Sequence, residues 1–264
     1  MTLNFCSFSS GSSGNCYLIK SQNTALLVDA GISGKKILEG LEKTKTNLEF
    51  LSALLITHEH SDHTKSIKTL TKKHNNLNVY ANKKTWEMIN KDICKDQMKT
   101  FDTGKIFTIG DIRVKPFKVS HDAADPVGFS FYSRDKQISV VTDTGYMNDE
   151  ILCEVENADI LILEANHDIE MLKIGKYPWF LKQRVLGDEG HLSNEAAGQA
   201  IVKLLTKNKK ERRILLGHLS RENNFPEMAY QTVKNILEEA NYYIGKHVYL
   251  NTIIRDEISR TYEI

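Results

Sequence analysis

The chain alternates short apolar runs with polar, glycine-bearing turns. LNFCSF, NCYLI, ALLVDAG, ALLIT, NVYA, IRVKPFKVS, VGFSFYS, QISVVTD, DILILEA and RILLGH are short and rich in β-branched, aliphatic or aromatic residues, which predicts strands. Two later segments follow the helical period instead. SNEAAGQAIVKLLT places Ala197, Ile201, Leu204 and Leu205 at i, i+4, i+7 and i+8. Ser193 is set to cap that helix, and Glu195 in the first turn suits its dipole. PEMAYQTVKNILEEA repeats the pattern with Ala229, Val233, Ile236 and Leu237, and Pro226 fits a first helical turn.

Strands near the start, then strands alternating with helices, predict a layered α/β fold. The runs LLI, VV, LIL and ILL read as strands buried on both faces, so helices are expected on both sides of the sheets. With no low-complexity linker and no domain-sized repeat, residues 1–264 are expected to form one domain. A chain of 264 residues buries a core large enough to fold without disulfides or a structural metal. No apolar stretch approaches the roughly 20 residues that span a bilayer. The start, MTLNFCSFSSGSSGN, lacks a basic segment followed by an apolar one, and a cytoplasmic protein is expected.

Composition changes this picture little. A hydrophobic fraction of 41% and a charged fraction of 26% are those of an ordinary soluble protein. Lys+Arg 35 against Asp+Glu 34 gives a net charge of +1, so a polyanionic partner would need a local basic patch. Cys6, Cys16, Cys94 and Cys153 are scattered without CxxC spacing and read as buried, reduced thiols.

The chemistry is at the ends of the predicted strands. His58 follows ALLIT, His121 follows IRVKPFKVS, Asp143 ends QISVVTD, Glu164 falls at the end of DILILE and His218 ends RILLGH. In layered α/β folds, strand C-termini are where sites assemble. THEHSDH packs His58, His60, Asp62 and His63 together with no apolar residue among them, more than a solvated loop accounts for. Imidazole with carboxylate and no nearby thiol suits Zn²⁺, Mn²⁺ or Fe²⁺. His58 and His60 can point to one side while Asp62 and His63 reach a second position, which implies two metals. Any one of His121, Asp143 and His218 alone would read as structural; as a set at strand ends they complete a metal site.

HxHxDH followed by a strand-end His, a strand-end Asp and a late strand-end His resembles the metallo-β-lactamase superfamily, whose four-layer αββα sandwich is then expected along the whole chain. The words SGSSGNCYLI, THEHSDH, SHDAADPVGF, TDTG, EANHD, GHLSNEAA and LGHLSRENN resemble its YycJ/WalJ family, regarded as cytoplasmic DNA exonucleases acting 5′-to-3′. The resemblance implies that His58, His60 and His121 hold one metal, that Asp62, His63 and His218 hold the second, and that Asp143 bridges both. An Asp at the bridging position disfavours a β-lactamase.

GHLS occurs twice, around His191 and around His218. GHLSNEAA precedes a helix and resembles the segment with which tRNA-maturing relatives deliver a catalytic histidine to the leaving group, paired with a glutamate. By that resemblance His191 is the general acid and Glu164 orients it. The implied function is a binuclear metal-dependent phosphodiesterase, a 5′-to-3′ DNA exonuclease in repair. Two Zn²⁺ or Mn²⁺ ions about 3.5–4 Å apart would activate a shared water, whose pKa falls toward about 7. Asp62 helps to orient or deprotonate that water, and His191 protonates the departing 3′-oxygen. The rival readings are a small-substrate metallohydrolase (cyclic phosphodiesterase, lactonase or thioesterase) and a non-enzymatic regulatory protein.

Further signals concern the substrate, expected to be single- or double-stranded DNA held by its 5′ end. KYPWFLKQR combines Lys176, Lys182 and Arg184 with Tyr177, Trp179 and Phe180, either as a substrate-facing loop or as a packed anchor. Ser220, Arg221, Asn223 and Asn224 can bind a terminal phosphate or simply form a surface turn. Ser12, Ser13 and Asn15 can approach phosphate or merely turn a hairpin. KNKKERR (207–213) reads as a solvated helix exit, Asp29 as a support for the site and His167 as a neighbour of it, with His74 and His247 structural.

Overall fold

Alternation along each apolar run decides which layer its side chains enter. The computed structural model describes residues 2–89 and 92–264; of the expected 1–264 domain, residues 1, 90 and 91 lie outside the described ones. Strands β1 (Asn4–Ser9), β2 (Cys16–Lys20), β3 (Ala25–Val28), β4 (Leu51–Leu55), β5 (Asn78–Ala81) and β6 (Met98–Thr100) lie side by side in one sheet. The second sheet runs in chain order through β7 (Phe107–Ile109), β8 (Ile112–Lys118), β9 (Val127–Ser133), β10 (Lys136–Val141), β11 (Ile160–Glu164), β12 (Arg212–Gly217) and β13 (Val248–Thr252). The last strand, β14 (Tyr262–Glu263), returns to the first sheet beside β1.

The two faces of each sheet meet different neighbours. Tyr17, Ile19, Leu26, Val28, Ala53 and Leu55 point inward and pack on Phe129, Phe131, Ile160, Ile162 and Leu215 of the other sheet. Their alternates Cys16, Leu18, Leu27 and Leu54 face outward onto Ile37, Leu41, Ile67 and Leu70 from helices Gly34–Lys43 and Ile67–Lys73. On the far side, Leu161, Leu163, Ile214 and Leu216 are covered by helices Asp149–Val155, Asn194–Lys207 and Pro226–Glu239. The result is an α/β/β/α sandwich, and burial on both faces is why these strands read as unbroken apolar runs. Both helices expected from the sequence form, with the Ser193 hydroxyl accepting from the Ala196 N–H and Pro226 in the first turn.

Strand direction then places the site. β3, β4 and β5 are parallel in the first sheet, as are β10, β11, β12 and β13 in the second. Register pairs Val28 with Leu55, Val141 with Leu163 and Glu164 with Gly217. The residues that follow those pairs, Asp29, Asp143 and His218 among them, therefore leave the sheets side by side.

Several expectations change. Strands β6, β7, β13 and β14 are not among the expected ones, because each is a short, partly exposed segment at the edge of its sheet. KNKKERR is not solvated throughout: Arg212 opens β12 and is 2% exposed, its guanidinium donating to the Asn208 and Lys210 carbonyls. Cys6 and Cys16 are buried as expected, whereas Cys94 and Cys153 are exposed. Among the described residues no helix is long and apolar enough to cross a membrane.

Two phenylalanines separate core from surface. Phe129→Ala, at the inter-sheet core, should cost about 3–5 kcal/mol by urea denaturation, whereas Phe50→Ala, at a 74% exposed position, should stay within about 0.5 kcal/mol. Equal effects would refute this assignment of layers.

Candidate metal centre

Three of the strand exits turn through the left-handed region: Asp29 (φ 62°), Asp143 (φ 57°) and His218 (φ 55°). Asp and His are among the non-glycine residues that tolerate this backbone, at a cost of order 1–3 kcal/mol each. The turn re-aims each side chain from its sheet toward a common point at the edge of the sandwich.

The HxHxDH loop reaches the same point after β4, with Asp62 and His63 in the short helix Ser61–Thr64. It is anchored from behind by the SSGSSGNC turn. The Asn15 N–H donates to the Asp62 carbonyl and the Ala30 N–H to the His63 carbonyl, each at 2.8 Å. A Cβ on Gly31 would overlap the Asp62 carbonyl, so that approach requires glycine. Asn15 thus braces the loop through its backbone, and its side-chain amide nitrogen lies 3.1 Å from His63 Nε2.

Donor atoms of His58, His60 and His121 lie within 4.8 Å of one another, as do those of Asp62, His63 and His218. Asp143 sits between the two groups, its carboxylate 3.4 Å from His63 Nε2, 3.4 Å from His218 Nε2 and 3.8 Å from His121 Nε2. The far nitrogen of most rings is held by the protein. His63 Nδ1 donates to Asp29 (2.8 Å), His121 Nδ1 to the Gly190 carbonyl (3.2 Å) and His218 Nδ1 to Glu164 (2.7 Å), while His58 Nδ1 lies 3.0 Å from the Thr57 hydroxyl. Such bonds fix the tautomer that leaves Nε2 free to ligate. His58 Nε2, His218 Nε2 and Asp143 Oδ2 are buried with no hydrogen-bond partner among the described residues. Buried polar atoms seldom stay unpaired, and three converging orphans within a His/Asp set fit divalent cations. Burial, reinforced by the neighbouring imidazoles, holds His58 well below the usual histidine range, and burial also lowers His121, so both are neutral donors.

Glu164 joins the two GHLS histidines. Its Oε1 accepts from His191 Nδ1 at 2.8 Å and from His218 Nδ1 at 2.7 Å, while Oε2 accepts the Thr144 N–H at 2.8 Å. The resemblance implies only the pair with His191; the structure adds the bond to His218. Its oxygens are occupied by these three N–H donors, and donor atoms of Asp143, Glu164, His191 and His218 also lie within 4.8 Å of one another. Burial opposes its ionisation, but the two imidazoles outweigh it and keep the carboxyl well below the usual range. Burial likewise opposes the His191 cation, yet Glu164 raises that imidazole to about 9. The two histidines differ in access: the His218 side chain is 1% exposed and that of His191 22%. His191 lines a cavity of about 160 Å³ with Ser12, His121, Tyr177, Arg184 and Ser220.

The remaining expected residues separate. The idea that Asn223 and Asn224 reach a terminal phosphate is corrected. Both are buried, and the Asn224 amide is spent on the Ala165 and Asn166 carbonyls. Ser220 lines the cavity and Arg221 is exposed beside it. Trp179 is exposed, whereas the Lys182 ammonium folds back onto the Lys173 carbonyl at 2.6 Å. His167 is buried near the site, and burial lowers its pKa to about 4. His74 and His247 bond the Leu51 carbonyl and the Tyr243 N–H. Glu59, inside the HxHxDH loop, has no sequence signal of its own: it accepts the Ala124 N–H at 2.8 Å and ties that loop to the one carrying His121.

A family model described as the Beta-lactamase superfamily domain matches residues 24–218. Exodeoxyribonuclease WalJ of Streptococcus pneumoniae is 44% identical over 241 residues, covering 89% of this chain and 88% of that protein. Exodeoxyribonuclease YycJ of Bacillus anthracis is 41% identical over 249 residues, covering 93% of each. Among solved structures, the metallo-β-lactamase fold protein YhfI from Bacillus subtilis superposes with a TM-score of 0.75 at 19% identity, covering 99% of both chains, a likeness of fold.

Because Glu164 orients His218 as well as His191, Glu164→Gln should weaken metal retention by about 10–100-fold in chelator competition. Unchanged retention would mean that its bond to His218 carries no weight in the site.

Proposed function

The chain belongs to the metallo-β-lactamase superfamily, in the family of the YycJ and WalJ exodeoxyribonucleases, and from this we propose a metal-dependent DNA exonuclease that degrades its substrate from the 5′ end. The observation that carries the chemistry is the Glu164–His191 pair beside the His/Asp cluster. We read residues 1–264 as one hydrolase domain, working in the cytoplasm on DNA repair.

In this reading His58, His60 and His121 hold one cation, Asp62, His63 and His218 the other, and Asp143 lies between them. Zn²⁺ or Mn²⁺ suits this donor set. Divalent ions so held supply Lewis acidity to phosphoryl oxygens and acidify water. The chain does the rest. Asp62, with its side chain 26% exposed, orients the attacking water at the open side of the site. His191 gives its Nδ1 proton to the bond with Glu164, which leaves Nε2 to deliver a proton to the departing 3′-oxygen. A protonated His191 is available at neutral pH because Glu164 stabilises the cation. Products are 5′-phosphoryl nucleotides, since the P–O3′ bond breaks. Ser220, which lines the cavity, and the exposed Arg221 that follows it approach the terminal phosphate.

Incubation of 5′- and 3′-end-labelled DNA, single- and double-stranded, with Mn²⁺ or Zn²⁺ should release label from the 5′ end at once and shorten 3′-labelled strands progressively. A lactone and a thioester should remain intact. Turnover of either ester without loss of DNA would overturn the reading.

A further inference from the structure

The chain between Glu164 and His191 displays apolar surface that the chemistry above does not use. Ile174 is 84% exposed, Trp179 66% and Phe180 72%. They lie at the end of helix Ile169–Ile174 and the start of helix Trp179–Leu186. The same segment turns its other side chains inward: Leu172 is buried, and Tyr177, Leu181 and Arg184 line the cavity that contains His191. The outward rings are therefore not anchors of the segment, since Leu172, Leu181 and Val185 already fulfil that function.

Charge accompanies them. From Ile169 to Leu186 the chain carries Lys173, Lys176, Lys182 and Arg184; Lys173 pairs with Glu170 and Arg184 with Asp122, which leaves Lys176 and Lys182 as the cations beside the rings. Exposed rings interleaved with cations suit single-stranded nucleic acid, whose bases stack while its phosphates meet ammonium or guanidinium groups.

The patch is also coupled to the reacting site. The His191 N–H donates to the Val185 carbonyl at 3.0 Å. Gly190 packs so closely on the Arg184 and Val185 carbonyls that a Cβ would overlap them. The C-terminal end of the helix that begins at Trp179 thus positions His191. From Trp179 to Val185 is about 9 Å along the axis, roughly two to three stacked nucleotides.

We propose that Ile174, Trp179 and Phe180 form a stacking surface for bases of the DNA strand two to three nucleotides from the scissile bond. The inference rests on the nuclease reading, and it makes a length-dependent claim: a dinucleotide is too short to reach the surface, whereas a strand of about ten nucleotides covers it.

The test compares metal-loaded wild-type protein with a Trp179→Ala/Phe180→Ala variant, both positions being exposed enough to leave folding and metal content unchanged. KM for a single-stranded oligothymidylate of about ten nucleotides should rise roughly 10–100-fold, with kinetics on a dinucleotide unaltered. A second readout does not depend on cleavage. Trp179 is one of two tryptophans, and the other, Trp86, donates to the Lys99 carbonyl away from the site. In a Trp86→Phe protein, Trp179 emission should be quenched by a hydrolysis-resistant phosphorothioate oligonucleotide. An unchanged KM with unmoved emission overturns the proposal. So does emission that responds only to protein concentration or to anionic phosphatidylglycerol vesicles, which would assign the face to a second copy or to a lipid surface. If the wild type leaves DNA intact while Trp179 still senses the oligonucleotide, the nuclease reading fails and the stacking surface stands.

Discussion

A carboxylate with no exposed surface sits at the centre of this site. An unpartnered buried charge costs several kcal/mol, and Glu164 avoids that cost through two imidazole N–H donors and one backbone N–H from Thr144. The arrangement constrains its surroundings. Glu164 accepts Nδ1–H from both His218 and His191, so that each ring presents Nε2 away from the carboxylate. It also requires β10, β11 and β12 to end in register, because Thr144, Glu164 and His218 must arrive at one place. On the opposite sheet Asp29 plays the corresponding part for His63, helped by Thr57. Each sheet contributes a buried carboxylate that holds an imidazole, and the cations are expected where the two sets of rings meet.

The fold supports this through burial. Inward and outward alternates of the central strands pack into three separate cores, one between the sheets and one on each outer face. Such packing sustains three left-handed residues at Asp29, Asp143 and His218, each of which redirects a side chain toward the site. Backbone strain of this kind persists where the surroundings over-determine it.

Much of this was legible in the sequence because the signals are local. Doubly buried strands declare themselves as unbroken aliphatic runs, and a cluster such as THEHSDH has few structural uses. The strand ends carrying His121, Asp143, Glu164 and His218 could be marked by eye. The edge strands could not, since a half-exposed strand such as Met98–Thr100 has almost no apolar signature. Long-range partners were equally hidden. Nothing in the wording of LILEAN says that Glu164 serves two histidines, or in SSGSSGN that Asn15 reaches His63. Asn223 and Asn224 mislead because polar residues after a metal-site histidine look exposed, whereas here both are buried and the Asn224 amide satisfies the Ala165 and Asn166 carbonyls. The doubled GHLS phrase places two histidines on one carboxylate, and of the two it is His191 that lines the cavity.

The central claim is that His191 supplies a proton to the leaving oxygen whereas His218 belongs to the metal site. It is tested most directly by varying the leaving group in a His191→Ala protein of normal metal content. On DNA the departing 3′-alkoxide needs a proton, so kcat should fall by about 10²–10⁴-fold. On thymidine 5′-(p-nitrophenyl phosphate) the departing phenolate is stable without one, and the loss should shrink to within about tenfold. Equal losses on both substrates would contradict the account.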